Sequence, residues 1–458
     1  MQYLKNTAAP RRQMGRVMAV TGCAIIGAGG AYPILAQDAQ GPHSTFTYGL
    51  VFDADSNPSL DTSDASGASQ FLGQLGYQYD QNLRNTQMSL GADTRFTTQD
   101  GALALDDPRL TLGFDTRASR HAVGLDLNYQ RFDVSDLTLA LDSTGTPVFS
   151  QTDGTRAVTN LGLDFEGGID MPLRYQIAYD AKDIHHSTGA SLLNDDSLEQ
   201  DWNLSISADL TPAITTRLVL EHIDYNVDDS DDTQRITQAA RLSTDFQLDQ
   251  VTRLNLSFGQ RSVETQTTSD TTQQDGSTWS IAAFREDRRG EYGIALDQTV
   301  KAGGTRQTLT LSRDADWSLG TIESSLGYVW REDDATSWIG TLDLRIDRPD
   351  AAVTLGLSRQ ANVANDGDVT ERSQLRGQMI QQLNAQSQLN FGLSASHDAF
   401  EIDDQFSAQA SATYQRQLND DATLSVALER RFSRNTADET AHSNGITISF
   451  QRSLGRLH

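Results

Sequence analysis

From residue 37 onward, apolar and polar side chains alternate with period two, in segments of about 9 to 11 residues, the length a tilted strand needs to cross a bilayer. Helices of period 3.6 cannot gather either set on one face, so this pattern restricts the chain to β-strands that bury one side only. Phe46, Tyr48, Leu50 and Phe52 share one face, as do Val123, Leu125, Leu127 and Tyr129, and Leu161, Leu163 and Phe165. Asp126, Asn128 and Gln130 oppose the second set, and Asn160, Asp164 and Glu166 oppose the third. The contrast recurs at Trp202, Leu204, Ile206 and Leu210, and at Leu254, Leu256 and Phe258.

Composition removes the main competitors. With 458 residues but only 37% hydrophobic ones, the chain is poor material for several large apolar cores, which disfavours a soluble multidomain enzyme. Its 62 acidic against 36 basic residues repel phosphate backbones, so nucleic acid is excluded as a partner. The single cysteine, Cys23, leaves the strand region without a disulfide or thiolate metal site.

The N-terminus has the form of a signal peptide. Lys5, Arg11, Arg12 and Arg16 make a positive segment, and no charge occurs from Val17 to Gln37. Cleavage after Ala36 divides the chain into a leader, 1–36, and one strand-rich domain, 37–458. Two other readings stay open: an uncleaved helix, for which Gly27, Gly29, Gly30 and Pro33 are poor material, and a lipid anchor at Cys23, since Val20-Thr21-Gly22-Cys23 looks like a lipobox. Arg11-Arg12 also hints at a twin-arginine signal.

A soluble sandwich alternates too, so the connections carry the distinction. Short links, such as Leu210 to Ala213, Leu248 to Gln250, Asp347 to Asp350, Leu383 to Ala385 and Leu418 to Asp421, alternate with long ones. The long set includes Asp53 to Gly67, Asp133 to Gly154, Lys182 to Glu199, Val263 to Ser277 and Ser433 to Asn444. The repeating unit is a hairpin, and the tally is about 22 strands, with roughly 18 to 24 as the bounds. Short turns on the periplasmic side, with longer loops outside, give an even strand number and put both mature termini in the periplasm.

The C-terminal segment Ser443-Asn444-Gly445-Ile446-Thr447-Ile448-Ser449-Phe450 resembles the assembly signal of bacterial outer-membrane β-barrels. Ser443, Gly445, Ile448 and Phe450 occupy its polar, glycine, apolar and aromatic places, while Gln451 to His458 run past the usual aromatic end. The resemblance implies an all-β, up-and-down antiparallel transmembrane barrel in the cell outer membrane. It also implies the barrel-assembly machinery, outer-membrane lipid and lipopolysaccharide as partners. No compact segment precedes the first strand, so the expectation is a barrel with no plug domain.

On the polar face, acid and base stand two residues apart at Asp93 and Arg95, Asp115 and Arg117, Asp180 and Lys182, and Asp343 and Arg345. Alternation turns both members of each pair inward, together with Asp126, Arg217, Arg253 and Arg261. They read either as a transverse field across a water-filled lumen or as cross-strand ion pairs that fix register. Acidic runs at Asp228, Asp229, Asp231 and Asp232, at Asp366 and Asp368, and at Asp403 and Asp404 read as solvated links open to divalent cations, without dedicated calcium-loop spacing. His222 shares the apolar phase of Leu218 and Leu220, and His185-His186 has no acid at a telling spacing, so neither forms a catalytic set. Trp279, Trp330 and Trp338 read as interfacial anchors.

The resulting expectation is a non-enzymatic, cofactor-free porin-like channel for passive diffusion of small hydrophilic solutes. The alternatives are an exopolysaccharide-export barrel and a structural or adhesive barrel without transport.

Overall fold

The computed structural model describes residues 42–455 apart from 58–59, 61–66, 100–101, 134–139, 142–146, 149–154, 188–195, 230, 333–335, 364–368, 400–403 and 435–438. The chain runs through β1 (His43–Asp55), β2 (Ala68–Asn82), β3 (Thr86–Gln99), β4 (Ala102–Arg117), β5 (His121–Asp133), β6 (Ala140–Leu141), β7 (Pro147–Val148), β8 (Thr155–Gly167), β9 (Leu173–Ser187), β10 (Asp196–Thr211), β11 (Ile214–Asp228) and β12 (Gln234–Gln247). It continues through β13 (Thr252–Gln266), β14 (Thr271–Asp287), β15 (Gly290–Lys301), β16 (Gly304–Trp317), β17 (Gly320–Arg331), β18 (Thr336–Asp347), β19 (Ala351–Val363), β20 (Val369–Asn384), β21 (Ser387–Ala399), β22 (Asp404–Gln417), β23 (Ala422–Arg434) and β24 (Thr440–Gly455). The short β6 and β7 form a two-stranded sheet of their own. The other strands make one 22-stranded antiparallel sheet, the strand number that the alternation predicts.

Each strand pairs with its neighbours in sequence, and β1 pairs with β24 from Thr45 opposite Gly455 to Asp55 opposite Gly445, so the sheet closes on itself. Closure leaves the wall without a free sheet edge, the condition for crossing a hydrocarbon layer with strands. Gln451 to Gly455, beyond Phe450, are ordinary members of the closing strand, paired with β1. Both ends of the described sheet, at His43 and Gly455, lie at the rim bearing the tight turns, as an even strand number requires.

Large apolar side chains face away from the lumen: Phe71 is 76% exposed, Leu50 67% and Phe258 63%. Buried apolar residues among the described ones are few, Val51, Leu72, Ile184, Val263, Val300 and Val329 among them. Such a molecule has its hydrophobic surface on the outside, stabilised only when lipid covers it. Aromatic residues mark both edges of this belt. Trp202, Tyr328, Trp330 and Trp338 stand toward the long-link rim, with Tyr328 and Trp330 ring centroids 5.0 Å apart, while Tyr175, Tyr292 and Trp317 stand toward the tight-turn rim.

Two links differ from the sequence expectation. β9 and β10 extend to Ser187 and from Asp196, and β13 and β14 meet through a turn at 267–270, in which Thr267 N–H donates to the Asp270 carbonyl at 2.8 Å. Ladder hydrogen bonds carry these strands past the length needed to span a bilayer, and there the side chains, Thr and Gln in particular, no longer follow an apolar phase.

Strand number also sets width. With strands about 4.8 Å apart and tilted roughly 40°, a closed ring of this size is about 40–45 Å across between backbones. About eight strands make an interior that side chains can fill, so inward side chains leave most of this bore unfilled.

Candidate functional site

The candidate site is the inner wall. Residues opposite one another in register share a face, which fixes orientation strand by strand. Asp93 stands opposite Arg109 and Gly76, Asp115 opposite Gly124, Arg117 opposite Ala122, and Asp126 opposite Gly113 and Gly162, all on the side away from exposed Leu110 and Val123. Arg95 reaches Asp107 at 3.4 Å across a register shift between β3 and β4. Arg217 donates through Nε to Ser207 Oγ at 3.0 Å, Arg253 meets Glu291 at 2.8 Å while lying over the Phe284 ring, and Arg261 meets Glu221 at 3.5 Å. Asp343 stands opposite Glu323 and Gly356, and Arg345 pairs with Asp347 at 2.9 Å. Partners are thus often drawn from other strands, while Arg345 pairs with an acid two residues along.

Two places gather like charges on this wall. Asp180 and Asp201 are direct register partners, with Glu199 opposite Lys182 beside them. Toward the long-link rim, Arg306 is the register partner of Arg331, and Lys301 stands within electrostatic reach of Arg235, Arg261 and Arg306, with Glu221 and Asp297 the acids beside them. Arg306 donates to the Ala361 carbonyl at 2.7 Å. Like charges directly opposite are unfavourable in a sheet. Sequence reading projects Arg261 inward but does not bring it together with Arg235, Lys301, Arg306 and Arg331, because the stagger between strands decides which residues share a height.

The seam holds a third cluster. Asp55 on β1 accepts from Arg431 of β23 and from the Ser443 hydroxyl of β24; Asn57 N–H donates to Ser443 Oγ at 3.2 Å, and Thr447 donates to Asp53 at 2.6 Å. Ser443 is fully buried. Gly445 faces inward, where a Cβ would stand 3.3 Å from Asp55 Oδ2, whereas Ile448 and Phe450 face outward with Leu50 and Phe52. Those roles suit the assembly-signal pattern: its polar places lock the seam from inside and its apolar places meet lipid.

Other residues singled out from sequence fall elsewhere. His222 is exposed on the outer face opposite Trp202, whose ring centroid is 4.3 Å from that of Tyr179. His185 and His186 do have an acid, Asp196 from the far side of their link, contacting the His185 ring and accepting from the His186 N–H at 2.6 Å. Asp229 spends its carboxylate inside its own turn, accepting from Asp231 N, Thr233 N and Thr233 Oγ1 at 2.7–3.0 Å. Among the described residues no group of three or more His, Cys, Asp or Glu is placed to hold a metal ion. Asp366, Asp368 and Asp403, the leader 1–36 and most of the Asp133 to Gly154 link lie outside the described residues.

Closure, outward apolar belt and polar wall together decide the class, and solved structures agree. The chain folds as a bacterial outer-membrane β-barrel. This barrel is similar to the iron transporter FrpB (F5-1 variant) of Neisseria meningitidis, with TM-score 0.59 and 7% identity over 91% of this chain and 83% of that one. It is also similar to the siderophore receptor PirA of Acinetobacter baumannii (TM-score 0.55, 8% identity, 91% and 81% covered). A third such structure is the ferric-catecholate import receptor Fiu of E. coli K12 (TM-score 0.56, 10% identity, 89% and 81% covered). No family model matches the chain, and no curated protein matches its sequence.

These neighbours correct two expectations. They are TonB-dependent receptors, a class with a plug domain, so the outer-membrane barrel is not to be read as one with no plug domain. They are active transporters of siderophores and iron, which overturns the porin-like channel for passive diffusion. The physical reason lies in the circumference: porin channels have about 16–18 strands, whereas 22-stranded transporters carry a plugged lumen. Neither exopolysaccharide export nor a structural, non-transporting role is what these neighbours do.

Proposed function

We propose that this barrel forms the wall of a ligand-binding uptake transporter whose cargo is a bulky anionic chelate, of the class to which ferric siderophore complexes belong. The observation that carries the reading is the closed 22-strand circumference, which is too wide to sieve small solutes and matches in strand number the transporters with an occupied lumen. The cationic group Arg235, Arg261, Lys301, Arg306 and Arg331 supports the sign of the ligand, since it collects positive charge toward the long-link rim of a chain with net charge −26. In this reading the long links face outside and the tight turns and both termini face the periplasm, with the barrel-assembly machinery acting on β24 and lipopolysaccharide meeting the outer belt. The wall binds and guides; it performs no bond chemistry.

The test is binding and permeation by the full chain in vesicles. Ferric catecholate and ferric hydroxamate chelates of known charge are titrated against tryptophan fluorescence, and uncharged sugars are followed by vesicle swelling. Saturable binding of an anionic chelate, weakened at least about tenfold in Arg306→Ala/Arg331→Ala, is the expected result. Swelling by sugars, with no saturable chelate binding, overturns it.

A further inference from the structure

The outer face carries a basic patch at the tight-turn rim, between β14 and β17. In register across these strands run Arg285, Tyr292, Arg313 and Ser324, and two residues deeper run Ala283, Ile294, Leu311 and Leu326. Two residues along a strand is about 6.6 Å, so a charged and aromatic row stands directly above an apolar one. The rows line a groove of about 680 Å³ in which Tyr292, Ile294, Leu311 and Leu326 are 53%, 49%, 51% and 60% exposed.

Charge at the upper row is positive. The turn following β14 adds Arg288 and Arg289, both exposed, to Arg285 and Arg313. The acids nearby are Asp287, which meets Arg313 at 3.2 Å and accepts the Arg289 N–H at 2.7 Å, Asp249 of the neighbouring tight turn, which lies within electrostatic reach of Arg285, and Glu286, whose phase points inward, so four arginines stand against two outward acids. Arg313 lies 3.7 Å over the Tyr292 ring, and its Nη1, shielded from solvent, has no hydrogen-bond partner. Stacking holds the guanidinium flat against the wall while leaving donors for an oxygen anion.

We propose that this groove is a binding site for an anionic phospholipid. Its phosphate lies at Arg285 and Arg313, and an acyl chain runs down the Ile294, Leu311 and Leu326 row. A soluble anion would make no use of the apolar row, and a zwitterionic lipid would gain little from an excess of cations. Interfacial position, sign of charge and apolar continuation together select this ligand class. The inference rests on the outer surface alone and holds whatever the lumen carries.

The full chain, folded in detergent and exposed to equimolar phosphatidylglycerol and phosphatidylcholine, is read by native mass spectrometry. Wild type is expected to retain one phosphatidylglycerol in preference to phosphatidylcholine. At about 1 kcal/mol for each basic residue near an anionic surface, Arg285→Gln/Arg313→Gln weakens retention about 30-fold. Arg285→Lys/Arg313→Lys keeps most of it, and Tyr292→Leu loses a few-fold. Heat-modifiable migration reports folding of each variant; should the Gln pair fail to fold, Tyr292→Leu and the Lys pair decide between site and no site. Equal retention of the two lipids by wild type, undiminished retention by the Gln pair, or preferential retention of lipid A overturns the assignment.

Discussion

Leu428 sits at the middle of β23, 54% exposed on the outer face, opposite Ala412 on one side and Ile446 on the other. Its neighbour Ala427 has the opposite phase and faces the lumen, opposite Thr413 and Thr447. If the outer face contacts hydrocarbon, Leu428→Ser forfeits about half of the 1.5–3 kcal/mol that covering a leucine is worth, about 1 kcal/mol. Leu428→Arg forces a charge into lipid near mid-depth and costs about 2–4 kcal/mol. Ala427→Arg, one residue away, places the same charge in a polar bore, and a surface-like cost within about 0.5 kcal/mol is expected. Folding into lipid vesicles, followed by tryptophan fluorescence across a urea gradient, gives all three free energies on one scale. Equal penalties for the two arginines would refute the assignment of faces, and with it the membrane placement.

Further outcomes follow from single contacts. Arg372 and Asp398 form a two-pronged ion pair with both side chains 6% exposed, so Asp398→Ala strands a buried guanidinium and lowers unfolding free energy by about 3–5 kcal/mol; Arg372→Met/Asp398→Leu recovers most of it, measured by the same titration. Gly73 lies under the Phe96 ring, 2.0 Å from where a Cβ would be, so Gly73→Ala is destabilising by about 1–3 kcal/mol and Phe96→Leu relieves it. Asp249, in the tight turn after β12, accepts the N–H groups of Val251 and Thr252 at 2.8 and 2.7 Å, and these hold its carboxyl below the usual carboxylate range. A depressed folded value means its stabilisation is complete above the unfolded value near 3.8 and disappears as pH falls through the folded one. The urea midpoints of wild type and Asp249→Ala should therefore differ at pH 7 and converge in strong acid.

Much of this architecture is written in the side chains because lipid allows no exception: Phe46, Leu50, Leu204, Leu256 and Ile448 must be apolar wherever the wall meets hydrocarbon. Beyond the bilayer that pressure ends. The 263–277 stretch, rich in Thr and Gln, therefore looked like a link although it is mostly paired strand. The wall's chemistry was legible as residues but not as neighbours. Arg261 finds Glu221 two strands away, and His185 finds Asp196 across a link, through stagger and link path that local sequence does not encode. Use of the bore is not legible for a related reason: strand number comes out of the alternation, but its meaning depends on diameter, which grows with that number while side-chain length does not.

The pairing of β1 with β24 joins segments separated by nearly the whole chain, and no shorter route completes the ring. Synthesis delivers β1 first, so its outer edge, Thr45 to Asp55, waits without a partner until Gly445 to Gly455 have been made. A nascent chain cut short anywhere before β24 would carry two raw borders, each able to recruit a stray strand from another molecule. The Asp55, Arg431 and Ser443 lock then acts as a check on completeness, since its three members come together only when the last hairpin has arrived.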